Sequence, residues 1–315
     1  MAPPKPNSPA NGSGFLASVL RFWNRTYASD YIGLAILLAS YLVIQFFVEP
    51  FHRLFSLNDL RISFPYAEVE RVPLTHDFGY ALFIPLLLVF VTNLICSASP
   101  HKHHVTILGF AIALVLTSFL TDVIKNAVGR PRPDLLSRCA ALPGTPVDKL
   151  VDISVCTETG HHKLHDGWRS FPSGHSSFSF AGLGYLSLFL AGQTRIFAHG
   201  PGSIAEHTEK LVRGDLLKAL FCLGPLVGAT MIAISRCQDY RHDVYDVTIG
   251  SLLGWTVAYW SYRRYWPRLS SVRCNEPYAG PPGVTDGPGY GRLRDEEEGA
   301  GGRNVGHELR ELNSR

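Results

Sequence analysis

The run VTILGFAIALVLTSFLTDVIKNAVGRPRPD, residues 105–134, decides the class of this chain. Its first part, 105–124, carries one charge, Asp122, and reaches the ~20 residues that a bilayer demands of a spanning helix. The run then empties into Lys125, Arg130 and Arg132. An apolar span that ends in a knot of cations is the pattern of a protein that lives in a membrane and does chemistry at its edge.

Five further runs approach the same length, about 32–48, 78–97, 176–190, 216–234 and 244–262. The run 176–190 is the shortest, and it reaches full length only if its helix begins near Ser173. Composition agrees: of 315 residues, 46% are hydrophobic and 17% charged, against roughly 25% charged in soluble domains. The mean hydropathy of +0.08 is diluted by polar ends, MAPPKPNSPANGSG at the start and a Gly/Pro/charge-rich tail from Pro277. Six such runs are too many and too long for the buried helices of a soluble protein. There is no internal repeat, and the proline-rich start, with no apolar stretch before Ile32, is not read as a signal peptide. The expectation is an all-α integral membrane bundle of six transmembrane helices over residues 31–266. Segments 1–30 and 267–315 are expected to be disordered and cytoplasmic.

Loop charge sets the orientation. Lys5, Arg21 and Arg25 precede the first span, Arg195, Lys210 and Arg213 lie in the fourth connection, and SYRRYWPR ends the last span. By the positive-inside rule these face the cytoplasm, and both termini with them. The opposite face also holds many cations, which muddies the rule unless those cations have another task.

Six alternating spans give them one. The third span exits into KNAVGRPRPD (125–134), the fourth begins at FPSGHSS (171–177), and the fifth ends in SRCQDYRHDVYD (235–246). All three stretches then converge on a pocket at the non-cytoplasmic face. Lys125, Arg132 and Arg236 place three cations at the membrane boundary, where uncompensated charge is costly and marks function. Arginine's planar fork suits phosphate oxygens, and lysine adds a point charge. In FPSGHSS, Pro172 suits a first helical turn, Gly174 permits close backbone approach, and free N–H groups with the Ser173 hydroxyl favour an anion. His242 and Asp246 are four residues apart, so on one helix face the carboxylate can hold one imidazole nitrogen and leave the other as a nucleophile. His175, on another helix, is placed to protonate a leaving oxygen. Together these make a phosphoryl-transfer site.

KNAVGRPRP, PSGH and SRCQDYRHDVYD resemble, in order, the three signature motifs of the type 2 phosphatidic acid phosphatase (lipid phosphate phosphatase) family. A four-residue pattern such as PSGH arises by accident in about one chain in 500 of this length, so three in order are specific. The resemblance covers the six-span core and not the ends. The stretch DLRISFPYAEVERVP (59–73) is also similar to the loop after the first span of eukaryotic lipid phosphatases, which favours lipid over sugar phosphates.

The resemblance implies roles residue by residue. Lys125, Arg132, Ser173, Gly174 and Arg236 bind phosphate, His175 is the general acid, His242 the nucleophile and Asp246 its orienting partner. Arg130 falls at an unspecified position and stays outside the site. The implied substrates are lipid phosphates presented in the non-cytoplasmic leaflet: phosphatidate, lysophosphatidate, diacylglycerol pyrophosphate or a sphingoid phosphate. No cofactor is implied. A divalent metal would use the same His and Asp types, but the Lys/Arg cluster repels a dication and already does its electrostatic work. No nucleic-acid partner is expected, and the oligomeric state is not read from the sequence. The location is an endomembrane (vacuole, Golgi or ER) or the plasma membrane, with the site lumenal or extracellular.

Three features lie outside the site on this reading. HKHH (101–104) and HHKLH (161–165) read as solvated loop residues, and Trp168, beside Arg169, as an interfacial anchor. Cys96, Cys222 and Cys237 read as small apolar groups in or near spans, and Cys274 as a reduced cytosolic thiol. Cys139 and Cys156 share the long loop on the oxidising side, where a disulfide is the expectation and two free thiols the alternative. A transporter would place its ionisable residues near the bilayer midplane rather than at span ends. A silent lipid-binding relative would have lost one of the two histidines.

Overall fold

A computed structural model describes residues 26–198 and 215–280. Lys5, Arg21, Arg25, Lys210 and Arg213 lie outside the described residues, as do most of the two end segments. The chain divides into a unit Ile36–Pro277, which holds the bundle, and a second unit made of both ends.

Six long helices are present among the described residues: α1 (Ala28–Phe47), α2 (Leu74–Ile95), α3 (Pro100–Val128), α4 (Gly174–Thr194), α5 (Leu216–Gln238) and α6 (Val244–Tyr265). No strand occurs among them, only two isolated bridges, Phe55 with Val151 and Ala141 with Cys156. Four of the helices, α1, α2, α3 and α5, are long and apolar enough to cross a membrane. Helices α4 and α6, of 21 and 22 residues, match them in length but are more polar for a structural reason. Most of α4 is buried, packed against α3, α5 and α6, so its environment is protein rather than lipid. It therefore carries Ser, Gly and Ala, which let helix backbones approach closely. Gly254 of α6 meets the Ser177 backbone, where any Cβ would collide. Apolar side chains turn outward on the four apolar helices, such as Phe46, Leu87, Ile95, Leu217 and Met231, and on α6, such as Leu252 and Trp260.

Helix ends explain where the sequence boundaries moved. Ser99 accepts from the Lys102 N–H at 3.2 Å and Pro100 opens the first turn, so α3 starts before the apolar run. HKHH is thereby helical rather than loop, with His101 and Lys102 buried and the Lys102 ammonium donating to the Asn275 carbonyl at 2.7 Å. Residues 267–277 likewise pack on the bundle, with Cys274 buried and the Arg195 guanidinium donating to the Val272 carbonyl at 2.7 Å. At its other end α3 stops at Gly129, whose φ of +56° suits glycine and whose missing side chain leaves room for the Phe51 carbonyl. In α2, Pro85 offers no N–H to the Ala81 carbonyl, and residues Gly79–Phe83 wind as a π turn.

Segments 48–73 and 129–173 build a cap over one end of the bundle. Its core is Phe55, Ile62, Leu135, Cys139 and Trp168. Trp168 is fully buried there and donates from its indole N–H to the Arg53 carbonyl at 2.8 Å, so it is a cap-core residue and not an interfacial anchor. Cys139 and Cys156 are joined in a disulfide. Of the remaining cysteines, Cys222 and Cys274 are buried, Cys237 is half-buried and Cys96 is exposed.

Candidate active site

A cavity of about 600 Å³ lies where the cap meets α1–α5 and the turn before α6. Lys125 reaches it from the last turn of α3, Arg132 from the GRPRP segment, Gly174 and His175 from the first turn of α4, Arg236 from the last turn of α5, and His242 from the turn before α6. Six of the eight residues singled out from the sequence therefore line one cavity. Ser173 and Asp246 stand behind its wall, both fully buried.

Ser173 acts through structure. Its hydroxyl caps α4, accepting from the Ser176 N–H at 3.4 Å, and its own N–H donates to the Asp246 carbonyl at 2.9 Å. That leaves the N–H groups of Gly174 and His175 without an acceptor within the helix. Pro172 lies one residue before that cap, outside the helix, and follows a cis peptide. His175 keeps its Nε2 without a hydrogen-bond partner.

His242 is buried, and its Nδ1 donates to the Ser170 carbonyl at 2.7 Å. That bond places the hydrogen on Nδ1 and leaves the Nε2 lone pair available. Burial and the Arg132 guanidinium push His242 down to about 3, so the ring is neutral at physiological pH. The direct carboxylate contact expected from the four-residue spacing is the longer one, with Asp246 Oδ2 at 3.8 Å from Nδ1. The Asp246 carboxylate instead accepts from the Ser170 hydroxyl at 2.6 Å, from the Asp243 N–H at 3.0 Å and from Arg130 at 2.6 Å.

The cations are held in place by acids. Arg132 donates to the Asp166 carboxylate and carbonyl, each at 2.8 Å. Burial alone would raise Asp166, but Arg132 and Arg138 hold it well below the usual carboxylate range. Arg236 donates to Glu70 at 2.6 Å and to Asp239 at 2.8 Å. Arg241 pairs with the other Glu70 oxygen at 3.0 Å and stacks on Tyr66, 4.3 Å from the ring centre. Arg169 pairs with Asp122 at 3.0 Å. The cavity is therefore lined by five cations, Lys125, Arg132, Arg169, Arg236 and Arg241, where the sequence reading named three.

Arg130, Ser170, Glu70, Asp166, Arg169 and Arg241 are thus the neighbours that the sequence reading passed over. Arg130 carried no usable signal: Arg130 and Arg132 are two apart, and residues i and i+2 of extended chain share a face, so spacing alone does not separate their roles. One enters the cavity while the other clamps Asp246 and, at 2.8 Å, Asp243. Arg241 adjoins His242, but nothing in the sequence pairs it with Glu70, 171 positions earlier.

The same cavity is also lined by apolar side chains, Leu38, Leu74, Phe78, Leu82, Leu114 and Val115. Five cations, two histidines and apolar side chains in one cavity among apolar helices fit a membrane enzyme acting on an anionic amphiphile. The sequence pattern of the PAP2 superfamily matches residues 105–270, more than half of the chain. Diacylglycerol pyrophosphate phosphatase 1 of Saccharomyces cerevisiae is 40% identical, over 80% of this chain and 85% of its own. Lipid phosphate phosphatases 2 and 1 of Arabidopsis thaliana are each 34% identical, over 77% and 79% of this chain and 78% and 71% of their own. No solved structure gives a significant match. This chain belongs to the PAP2 superfamily.

Proposed function

We propose that this phosphatase hydrolyses lipid phosphate monoesters or pyrophosphates, among them phosphatidate, lysophosphatidate and diacylglycerol pyrophosphate, through a phosphohistidine on His242. The observation that carries the reading is the mixed lining of one cavity, with the cations Lys125, Arg132 and Arg236 and the apolar side chains Leu74, Phe78 and Leu82 together in it. A headgroup phosphate meets the cations while the acyl chain lies on the apolar side chains.

In the first step His242 Nε2 attacks phosphorus in line, the phosphorus–oxygen ester bond breaks, and His175 gives its proton to the departing oxygen. In the second, His175 takes a proton from water, the water oxygen displaces His242 from phosphorus, and phosphate leaves. Lys125, Arg132, Arg236 and the first-turn N–H groups of α4 stabilise charge on the equatorial oxygens, which is where phosphoryl transfer is mostly won. Asp246 and Arg130 act through Ser170 to keep the His242 ring in position.

Topology belongs to the same reading: six spans, a bundle over residues 31–266 between cytoplasmic ends, and the cavity at the lumenal or extracellular face. The Cys139–Cys156 disulfide in the cap is in keeping with an oxidising compartment.

Purified protein, offered a panel of lipid phosphates in mixed micelles, should release inorganic phosphate and lose that activity in His242→Ala. Because five cations already face the phosphate, turnover should persist in excess EDTA without added magnesium. Activity that vanishes with chelator and returns with magnesium would sink this mechanism.

A further inference from the structure

The turn His161–His165 is helical and holds a second cluster, whose members Glu49, His161 and His165 do not line the cavity. His161 and His165 stand four residues apart on one face, their rings stacked with centroids 4.0 Å apart. Glu49, just past the end of α1, brings its Oε1 to 3.4 Å from His161 Nε2. Two donors each about 2.1 Å from a tetrahedral zinc ion stand about 3.4 Å apart, so this pair is already at chelating separation. Ligand atoms of Glu49, His161 and His165 all lie within 4.8 Å of one another, which leaves a small side-chain adjustment to complete the set.

His52 supplies the support that metal-bound imidazoles use. Its Nε2 is 2.9 Å from His165 Nδ1, and its ring packs edge-on against Trp168 at 5.0 Å. One nitrogen of His165 is thereby engaged and oriented, and Nε2 is the one left for a ligand. The lysine of the turn does not oppose a cation here, because Lys163 is paired with Glu158 at 2.6 Å.

We infer that Glu49, His161 and His165 form a transition-metal site of the zinc type in the cap, with His52 as its outer support and a fourth position open to water. The ion bridges the segment after α1 to the turn that runs directly into Asp166, the anchor of Arg132. It takes no part in phosphoryl transfer.

The test uses full-length protein without a polyhistidine tag, in detergent, stripped with chelator and titrated with Co2+ and then Zn2+. Wild type should show the visible absorption of tetrahedral cobalt, bleached by zinc, and zinc should raise its unfolding midpoint. Glu49→Gln and His161→Ala should each weaken zinc binding roughly 100-fold, and His52→Ala roughly tenfold. His103→Ala, in the separate histidine tract, should match wild type. Glu49 is exposed, so its Gln variant keeps the fold available to the measurement. Wild-type affinity in both Glu49→Gln and His161→Ala, or no tetrahedral cobalt spectrum in wild type, overturns the site.

Discussion

His242 hands its Nδ1 hydrogen to the carbonyl of Ser170, 2.7 Å away, while the hydroxyl of that same serine donates to Asp246 at 2.6 Å. Asp246 thus reaches the histidine mainly through one residue of the loop before α4, and Arg130 fixes Asp246 from the other side.

That chain of contacts makes Arg130 a positioning residue. It does not line the cavity, so Arg130→Ala should lower kcat with KM little changed, roughly up to 100-fold if the ring shifts by about 1 Å. Arg130→Lys should restore part of the rate, since one charged donor can still reach Asp246. A variant whose KM rises while kcat holds would show that Arg130 contacts substrate instead.

The two histidines separate by leaving group. His242→Ala should abolish turnover of both a lipid phosphate and p-nitrophenyl phosphate, because a nucleophile is needed for either. His175→Ala should lose lipid turnover yet still give a burst of nitrophenol, about one per enzyme, since that leaving group needs no proton. Acid-quenched labelling of His242 in the His175→Ala protein is the firmer readout. Absence of label there, with residual aryl turnover in His242→Ala, reverses the two roles.

Glu70 occupies the guanidinium forks of Arg236 and Arg241 from outside the motifs. Substrate phosphate must compete with it for donors. Glu70→Gln should therefore tighten product inhibition by inorganic phosphate, by roughly tenfold for a change of about 1.4 kcal/mol. Weaker phosphate inhibition in that variant would mean that the carboxylate preorganises the two arginines rather than competing for them.

Topology and the cap bond can be read on intact protein. The sequons at Asn11 and Asn24, outside the described residues, should carry no glycan if the ends are cytoplasmic. Alkylation before reduction should leave Cys139 and Cys156 unlabelled and Cys96, which is exposed, labelled. A glycosidase shift lost in Asn24→Gln would turn the topology over.

How much of this was legible depended on the distance over which the cause acts. The apolar runs were readable because lipid contact demands apolarity residue by residue, and α1, α2, α3 and α5 are the helices that keep it. Helix α4 was harder, because a helix sheathed in protein answers to its neighbours, and its short apolar run became a 21-residue helix only through the Ser173 cap. The cavity residues were legible as dense local strings, PSGH above all. Their partners were not. Glu70, Asp166 and Ser170 enter by tertiary approach from the cap, and Trp168, which reads as an interfacial residue beside Arg169, is instead the ring around which the cap packs.

Leu38, Leu74 and Phe78 line the cavity and are themselves exposed on the bundle's flank. A substrate guided along that flank never leaves the plane of its leaflet, so the encounter is two-dimensional. The rate should then follow the mole fraction of substrate among the surrounding amphiphiles, and adding inert detergent at fixed total substrate should slow the enzyme by diluting its surface rather than its solution.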